Sequence, residues 1–138
     1  MSFASHWEGS KGTPLIFVVD TDSVVRQAVA SVLNWSGCRT RVFRDSKEVL
    51  DELASGETTP DLLVTGYSFP GISGLKLIAR CRARWPGMKT VLISRRFWPG
   101  AVVAAFHKAD KFMHKPFDVK VFVDAVHELL HPAPVKEF

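Results

Sequence analysis

Short apolar runs alternate along the chain with stretches in which apolar residues recur at helical spacing. Pro14-Leu15-Ile16-Phe17-Val18-Val19-Asp20 is a continuous apolar run ending in an acid, which predicts a parallel strand buried on both faces. Asp22 or Ser23 is placed to cap a helix carrying Val25, Ala28, Val29, Val32 and Leu33, with Gly37 closing it in the left-handed conformation. Arg39-Thr40-Arg41-Val42-Phe43 alternates, as an edge strand with one wet face does. Asp45-Ser46-Lys47-Glu48 has capping-box spacing and opens a second helix through about Ser55.

Leu62 to Thr65 is a short apolar run closed by Gly66, again the pattern of a buried strand. Ser68-Phe69-Pro70-Gly71 follows as a tight turn, and Leu75 to Trp85 reads as a third helix ending at Trp85-Pro86-Gly87. Lys89 to Ser94 is the fourth strand, and a weaker helix with Val102, Val103 and Phe106 on one side follows Pro99. Lys111 to His114 is a fifth strand. A last helix from Asp118 carries Val119, Phe122, Val123, Val126, Leu129 and Leu130, and His131-Pro132-Ala133-Pro134 stops it.

Five strands alternating with five helices imply right-handed crossovers and an α/β doubly wound parallel sheet. Short strands and helices of about 10–15 residues fit the flavodoxin-like order 2-1-3-4-5. Residues 1–13 read as a flexible lead-in, 14–131 as the domain and 132–138 as a tail. Ligand chemistry in open α/β folds gathers at the carboxyl edge of the sheet, so the loops after Asp20, Gly66, Ser94 and His114 are where it is expected.

Composition narrows the class further. At 138 residues, 46% of them hydrophobic and 23% charged, the chain is an ordinary single globular domain. No apolar run approaches the ~18 residues of a membrane span, and the N-terminus lacks a signal-peptide core, so a cytoplasmic location is expected. Cys38 and Cys81 have no metal or redox spacing and are expected to be buried free thiols. The net charge of +4 is mild. Its densest basic stretch, Lys76, Arg80, Arg82 and Arg84 on the third helix, reads as a solvated face rather than a nucleic-acid patch.

Four separated stretches together resemble the receiver domains of bacterial two-component response regulators, the CheY-like family. They are Val18-Val19-Asp20-Thr21-Asp22; Pro60-Asp61-Leu62-Leu63-Val64-Thr65-Gly66-Tyr67-Ser68-Phe69-Pro70-Gly71-Ile72-Ser73-Gly74; Val91-Leu92-Ile93-Ser94; and Phe112-Met113-His114-Lys115-Pro116-Phe117. In that family a carboxylate nucleophile at the end of the third strand accepts a phosphoryl group as an acyl phosphate. Mg²⁺, held by an acidic pair, the acceptor and a backbone carbonyl, neutralises the transferring group. A Lys and a Ser/Thr hydroxyl bind its oxygens and couple it to an aromatic switch residue.

The resemblance implies Ser94 as the hydroxyl residue, Phe112 as the switch ring and Lys115 as the lysine, with a cis Lys115-Pro116 bond. Asp20 keeps one position of the acidic pair, Thr21 replaces the metal-ligating one, and Gly66 stands where the phosphoacceptor Asp belongs. Asp22 is assigned to helix capping, and Asp61 to the opposite end of its strand. No catalytic residue, no Mg²⁺ and no other cofactor are therefore expected. Lys115 needs a counter-charge, and Asp20, with Arg95 reaching in, is expected to supply a pocket needing neither metal nor phosphate.

The chain is thus expected to be a stand-alone, non-enzymatic pseudo-receiver that acts by protein–protein contact. Its partner would be a histidine kinase, an output or regulatory protein, or a second copy. Trp98, Phe112 and Phe122 are its expected partner face, although Phe112 also reads as core packing and Trp98 as packing on its own domain. Three other readings stand beside it: a receiver phosphorylated at an atypical residue, a binder of a small anionic ligand at the sheet edge, and a nucleic-acid-binding protein, for which steeply salt-dependent binding is the test.

Overall fold

A computed structural model describes residues 12–95 and 109–131. Its elements are β1 (Leu15–Val19), α1 (Ser23–Trp35), β2 (Arg39–Phe43), α2 (Ser46–Ser55), β3 (Leu62–Thr65), α3 (Gly74–Arg84), β4 (Lys89–Ser94), β5 (Lys111–His114) and, among the described residues, a last helix α4 (Val119–Leu130). All strand pairs are parallel and the sheet order is β2-β1-β3-β4-β5. The doubly wound, flavodoxin-like sheet expected from the sequence is therefore the observed one. The helix expected after Pro99 falls on residues 96–108 and lies outside the described residues, as does Trp98.

Strand alternation sends neighbouring side chains to opposite faces, so the apolar runs build two cores at once. Ile16, Val18, Val64 and Ile93 pack with Val29 and Leu33 of α1 and Phe122 and Val126 of α4. Phe17, Val19, Leu63 and Leu92 pack on the other face with Val49 and Leu53 of α2 and Leu77 and Ile78 of α3. Full burial of such a side chain contributes about 1.5–3 kcal/mol, which is why unbroken apolar runs become the central strands. Cys38 and Cys81 are both buried free thiols within these cores. Burial pushes the Cys81 thiol up to about 11.

Helix ends follow the capping residues in the sequence. Asp22 caps α1 by accepting from the backbone N–H groups of Val24 and Val25, and Gly37 behind that helix takes φ +98°. Asp45 caps α2 through the Glu48 N–H, but Glu48 reaches back to the N–H of Arg44, one residue beyond the cap. On α3, Arg82 donates to Asp110, whose carboxylate also takes the Thr90 backbone N–H, and Arg84 lies over the Trp85 ring at 5.1 Å. Half of the basic stretch thus holds its own domain together, the remainder being solvated.

One expectation about α4 is overturned. Phe122, placed on the partner face, is only 1% exposed and sits in the core against α1, its ring 5.2 Å from that of Phe117. The helix phase that carries Phe122, Val126 and Val123 inward leaves Val119 and Val121 as the exposed apolar residues of this helix.

Candidate functional site

Because every strand is parallel, β1, β3, β4 and β5 deliver the ends of the four motif stretches to the same edge. The backbone pairs Val19 with Thr65 and Ser94 with His114, which sets Asp20, Gly66, Ser94 and Lys115 side by side. A 310 Å³ pocket there is lined by Asp20, Thr21, Asp22, Gly66, Ser94 and Lys115, among others. The Lys115–Pro116 peptide bond is cis, as the resemblance implied.

The centre of the pocket is an ion pair. Lys115 Nζ donates to Asp20 Oδ2 at 2.8 Å, with the two side chains only 14% and 5% exposed. The other Asp20 oxygen accepts the backbone N–H of Asp22 at 2.8 Å. A buried lysine without a counter-charge would be costly, and this carboxylate supplies one.

Gly66 adjoins the pair. A Cβ built on it would stand 3.0 Å from Asp20 Oδ2 and 3.3 Å from Asp20 Cγ. The Asp20 carboxylate thus lies against the space where a side chain from position 66 would begin. Its backbone is also closely held: a Cβ on Gly74 would fall 1.9 Å from the Gly66 carbonyl oxygen, so only a glycine admits this approach of α3. The Thr65 hydroxyl donates to that same carbonyl at 2.9 Å.

Arg95 does not join Asp20, contrary to expectation. Its guanidinium reaches Asp22 Oδ2 at 3.3 Å while Asp22 Oδ1 continues to cap α1. The reason is supply: Asp20 already has Lys115 and a backbone donor, whereas Asp22 has an oxygen left over. This pair is largely exposed, so it closes the rim without adding much stability. Sequence reasoning also missed Arg26, whose NH1 donates to the Asp20 carbonyl at 2.6 Å. Its signal was the position of the only charge on α1, one turn into the helix and facing the loop.

Ser94 is buried at the end of β4, and its carbonyl accepts the Lys115 N–H at 2.8 Å. Phe112 is half-buried and packs against the core face shared with α2 and α3, the core-packing alternative of its two readings. Asp61 lies at the amino edge, accepting the Leu15 N–H at 2.8 Å, and so stands far from this chemistry.

These donors do not fit a Mg²⁺ ion, which requires several oxygen ligands in near-octahedral arrangement. The site offers one carboxylate, already held by a lysine, together with a threonine hydroxyl and a glycine. The second aspartate of the loop is committed to a helix cap and an arginine.

A doubly wound sheet in this order, with Asp, Ser and Lys-Pro meeting at its carboxyl edge, defines the receiver architecture. The sequence matches the response regulator receiver domain family over residues 16–127, and the chain belongs to that family. It is 32% identical over 106 residues to the DNA-binding transcriptional regulator NtrC of Escherichia coli K12, covering 76% of this chain and 22% of that protein. It is 32% identical over 112 residues to the transcriptional regulatory protein FixJ of Azorhizobium caulinodans, covering 80% and 52%. The chain thus spans about a fifth of the length of the NtrC relative and half that of FixJ.

Solved structures share the fold. A CheY-like receiver domain from Methanospirillum hungatei superposes with a TM-score of 0.79 at 19% identity, covering 86% of this chain and 94% of that one. The response regulator TrrA of Thermotoga maritima, in complex with Mg²⁺-BeF, gives 0.76 at 24% identity, covering 86% and 100%.

Proposed function

We propose that this receiver domain works without phosphoryl transfer and serves as a protein-binding module in two-component signalling. The observation that carries the reading is the Asp20–Lys115 pair lying against Gly66. Acyl-phosphate formation needs a carboxylate nucleophile in line with the donor, and a glycine supplies none. The lysine that would bind phosphoryl oxygens is instead neutralised by Asp20, so the pocket keeps its charge balance with neither phosphate nor metal. On this reading the domain is not an enzyme, takes no cofactor and acts in the cytoplasm. Among the described residues no helix is long and apolar enough to cross a membrane. Its partner is a protein: a histidine kinase, an output or regulatory protein, or a second copy of the chain.

Binding of a small anion at the same edge is less favoured, because the cation such a ligand would seek is already paired. The test is intact-mass spectrometry after incubation with acetyl phosphate or phosphoramidate and Mg²⁺, beside an ordinary receiver as control. We expect the control to gain a phosphoryl group and this chain to remain at its unmodified mass. A hydroxylamine-labile adduct would overturn the proposal and make a substitute acceptor the subject.

A further inference from the structure

The outer face of α1 differs from those of the other described helices. α2, α3 and α4 each present charges to solvent, such as Lys47 and Asp51, Lys76 and Arg80, or Lys120 and Asp124. The exposed positions of α1 carry no charge at all, and its single charged residue, Arg26, is turned onto the Asp20 carbonyl. Depletion of charge on an exposed, partly apolar face is the compositional mark of an interface core.

Within that face, Val24, Ala28, Ser31 and Trp35 are all exposed, Val24 by 73% and Trp35 by 65%. Their spacing of four, three and four residues is that of a helix–helix seam. The seam is symmetric about the midpoint between residues 29 and 30. Two copies laid antiparallel across a two-fold axis would set Ala28 against Ser31 of the other copy at the centre. The small side chains there permit close approach of the helix axes, about 8–10 Å. The same operation sets Trp35 of each copy, about 16 Å along the helix from Val24, beside Val24 of the other.

A receptor for that ring is present at the Val24 end. A 510 Å³ groove between α1 and α4 is lined mainly by apolar residues, Val24, Val25, Ala28, Val119 and Phe122 among them, with Arg95 and Lys115 on its border. Its rim adds the exposed Val119. One helix therefore carries a large aromatic knob at one end and an apolar groove at the other, which is the self-complementarity an isologous contact demands.

We infer that this chain forms a two-fold homodimer through antiparallel contact of α1, with Trp35 of each copy seated in the α1–α4 groove of the other. A buried Trp removes about 150–250 Å² from water, and two of them account for a sizeable part of the ~1,200 Å² that small specific interfaces bury. The rest comes from the seam and the groove walls. The groove is bordered on one side by Arg95 and Lys115, which also line the carboxyl-edge pocket, so the contact abuts that pocket. Its test reads association alone and stands apart from the phosphoryl-transfer test above.

Sedimentation equilibrium of the full chain from micromolar to near-millimolar concentration is the test. The apparent mass is expected to rise from 15.4 kDa towards twice that value. Ala28→Arg puts two like charges near the axis at an exposed helical position, and Trp35→Ala removes the knob; each is expected to weaken association about tenfold or more. In oxidative cross-linking, A28C mixed with S31C should link faster than either variant alone. A chain that stays monomeric overturns the inference. So does a dimer indifferent to Ala28→Arg, which would use another face, or cysteine variants that link as readily with themselves.

Discussion

The carboxylate of Asp20 stands 3.0 Å from the point where a side chain on Gly66 would begin. Asp20 is the counter-ion of Lys115, at 2.8 Å, and the neighbouring position 66 carries no side chain. Among the described residues Asp20 is the carboxylate paired with Lys115, and position 66 beside it offers none.

Placing an acid at position 66 therefore creates a conflict with Asp20. Gly66→Asp adds a second carboxylate against Asp20 with a single lysine between them, and we expect a stability loss of about 1–3 kcal/mol in the absence of divalent cations. Excess Mg²⁺ should raise the melting temperature of this variant and leave that of the wild type unchanged. A wild-type protein that Mg²⁺ stabilises to the same degree would contradict the metal-free reading.

Breaking the ion pair from one side should cost far more than removing it whole. Asp20→Ala leaves Lys115 buried without a counter-charge, and a loss of about 3–5 kcal/mol is expected in urea denaturation. Asp20→Ala combined with Lys115→Met should recover a large part of it. Additive losses in this double-mutant cycle would mean that the two side chains do not depend on each other.

Gly74 should tolerate no side chain. A Cβ there meets the Gly66 carbonyl at 1.9 Å and Leu92 Cδ1 at 3.2 Å, so α3 would have to shift away from the sheet. We expect Gly74→Ala to cost about 3 kcal/mol, at the upper end for an overpacked site, measured as a lower urea midpoint at unchanged slope. A loss within a few tenths would show that the loop after β3 is freer than this contact implies.

The buried thiol of Cys81 gives a pH signature. Its pKa is raised from 9.0 to about 11 by burial, so the unfolded chain ionises first as pH rises. The folded state thus holds its proton longer, and the associated stability is intact below pH 9 and lost between about pH 9 and 11, at most ~2–3 kcal/mol. Subtracting the profile of Cys81→Ala isolates this contribution from the lysines and the tyrosine. Parallel profiles for the two proteins would show that the thiol titrates normally.

The strands and the cap positions were legible in the sequence because their causes are local. Apolar runs such as Leu62 to Val64 and Val91 to Ile93 bury both faces, and Asp22 and Asp118 cap the helices they precede. The site could be assembled on paper for a related reason: parallel strands alternating with helices put all their carboxyl ends on one edge, so Asp20, Gly66, Ser94 and Lys115 had to meet. From there the need of a buried lysine for a counter-charge was enough to pair Lys115 with Asp20.

What the tertiary structure decided was which partner each long or terminal side chain takes. Arg95 pairs with Asp22 rather than Asp20, whose two oxygens each already take a donor at the assembled edge, the Lys115 ammonium and the Asp22 backbone N–H. Phe122 turned inward because α1 supplies the apolar surface it packs on, a neighbour almost a hundred residues away in sequence. The close passage of Gly74 over the Gly66 carbonyl and the groove between α1 and α4 arise from the same source. Local pattern sets backbone conformation, because that is governed by a residue and its near neighbours. Contacts among side chains on different elements depend on how those elements pack, which no single stretch of the chain contains.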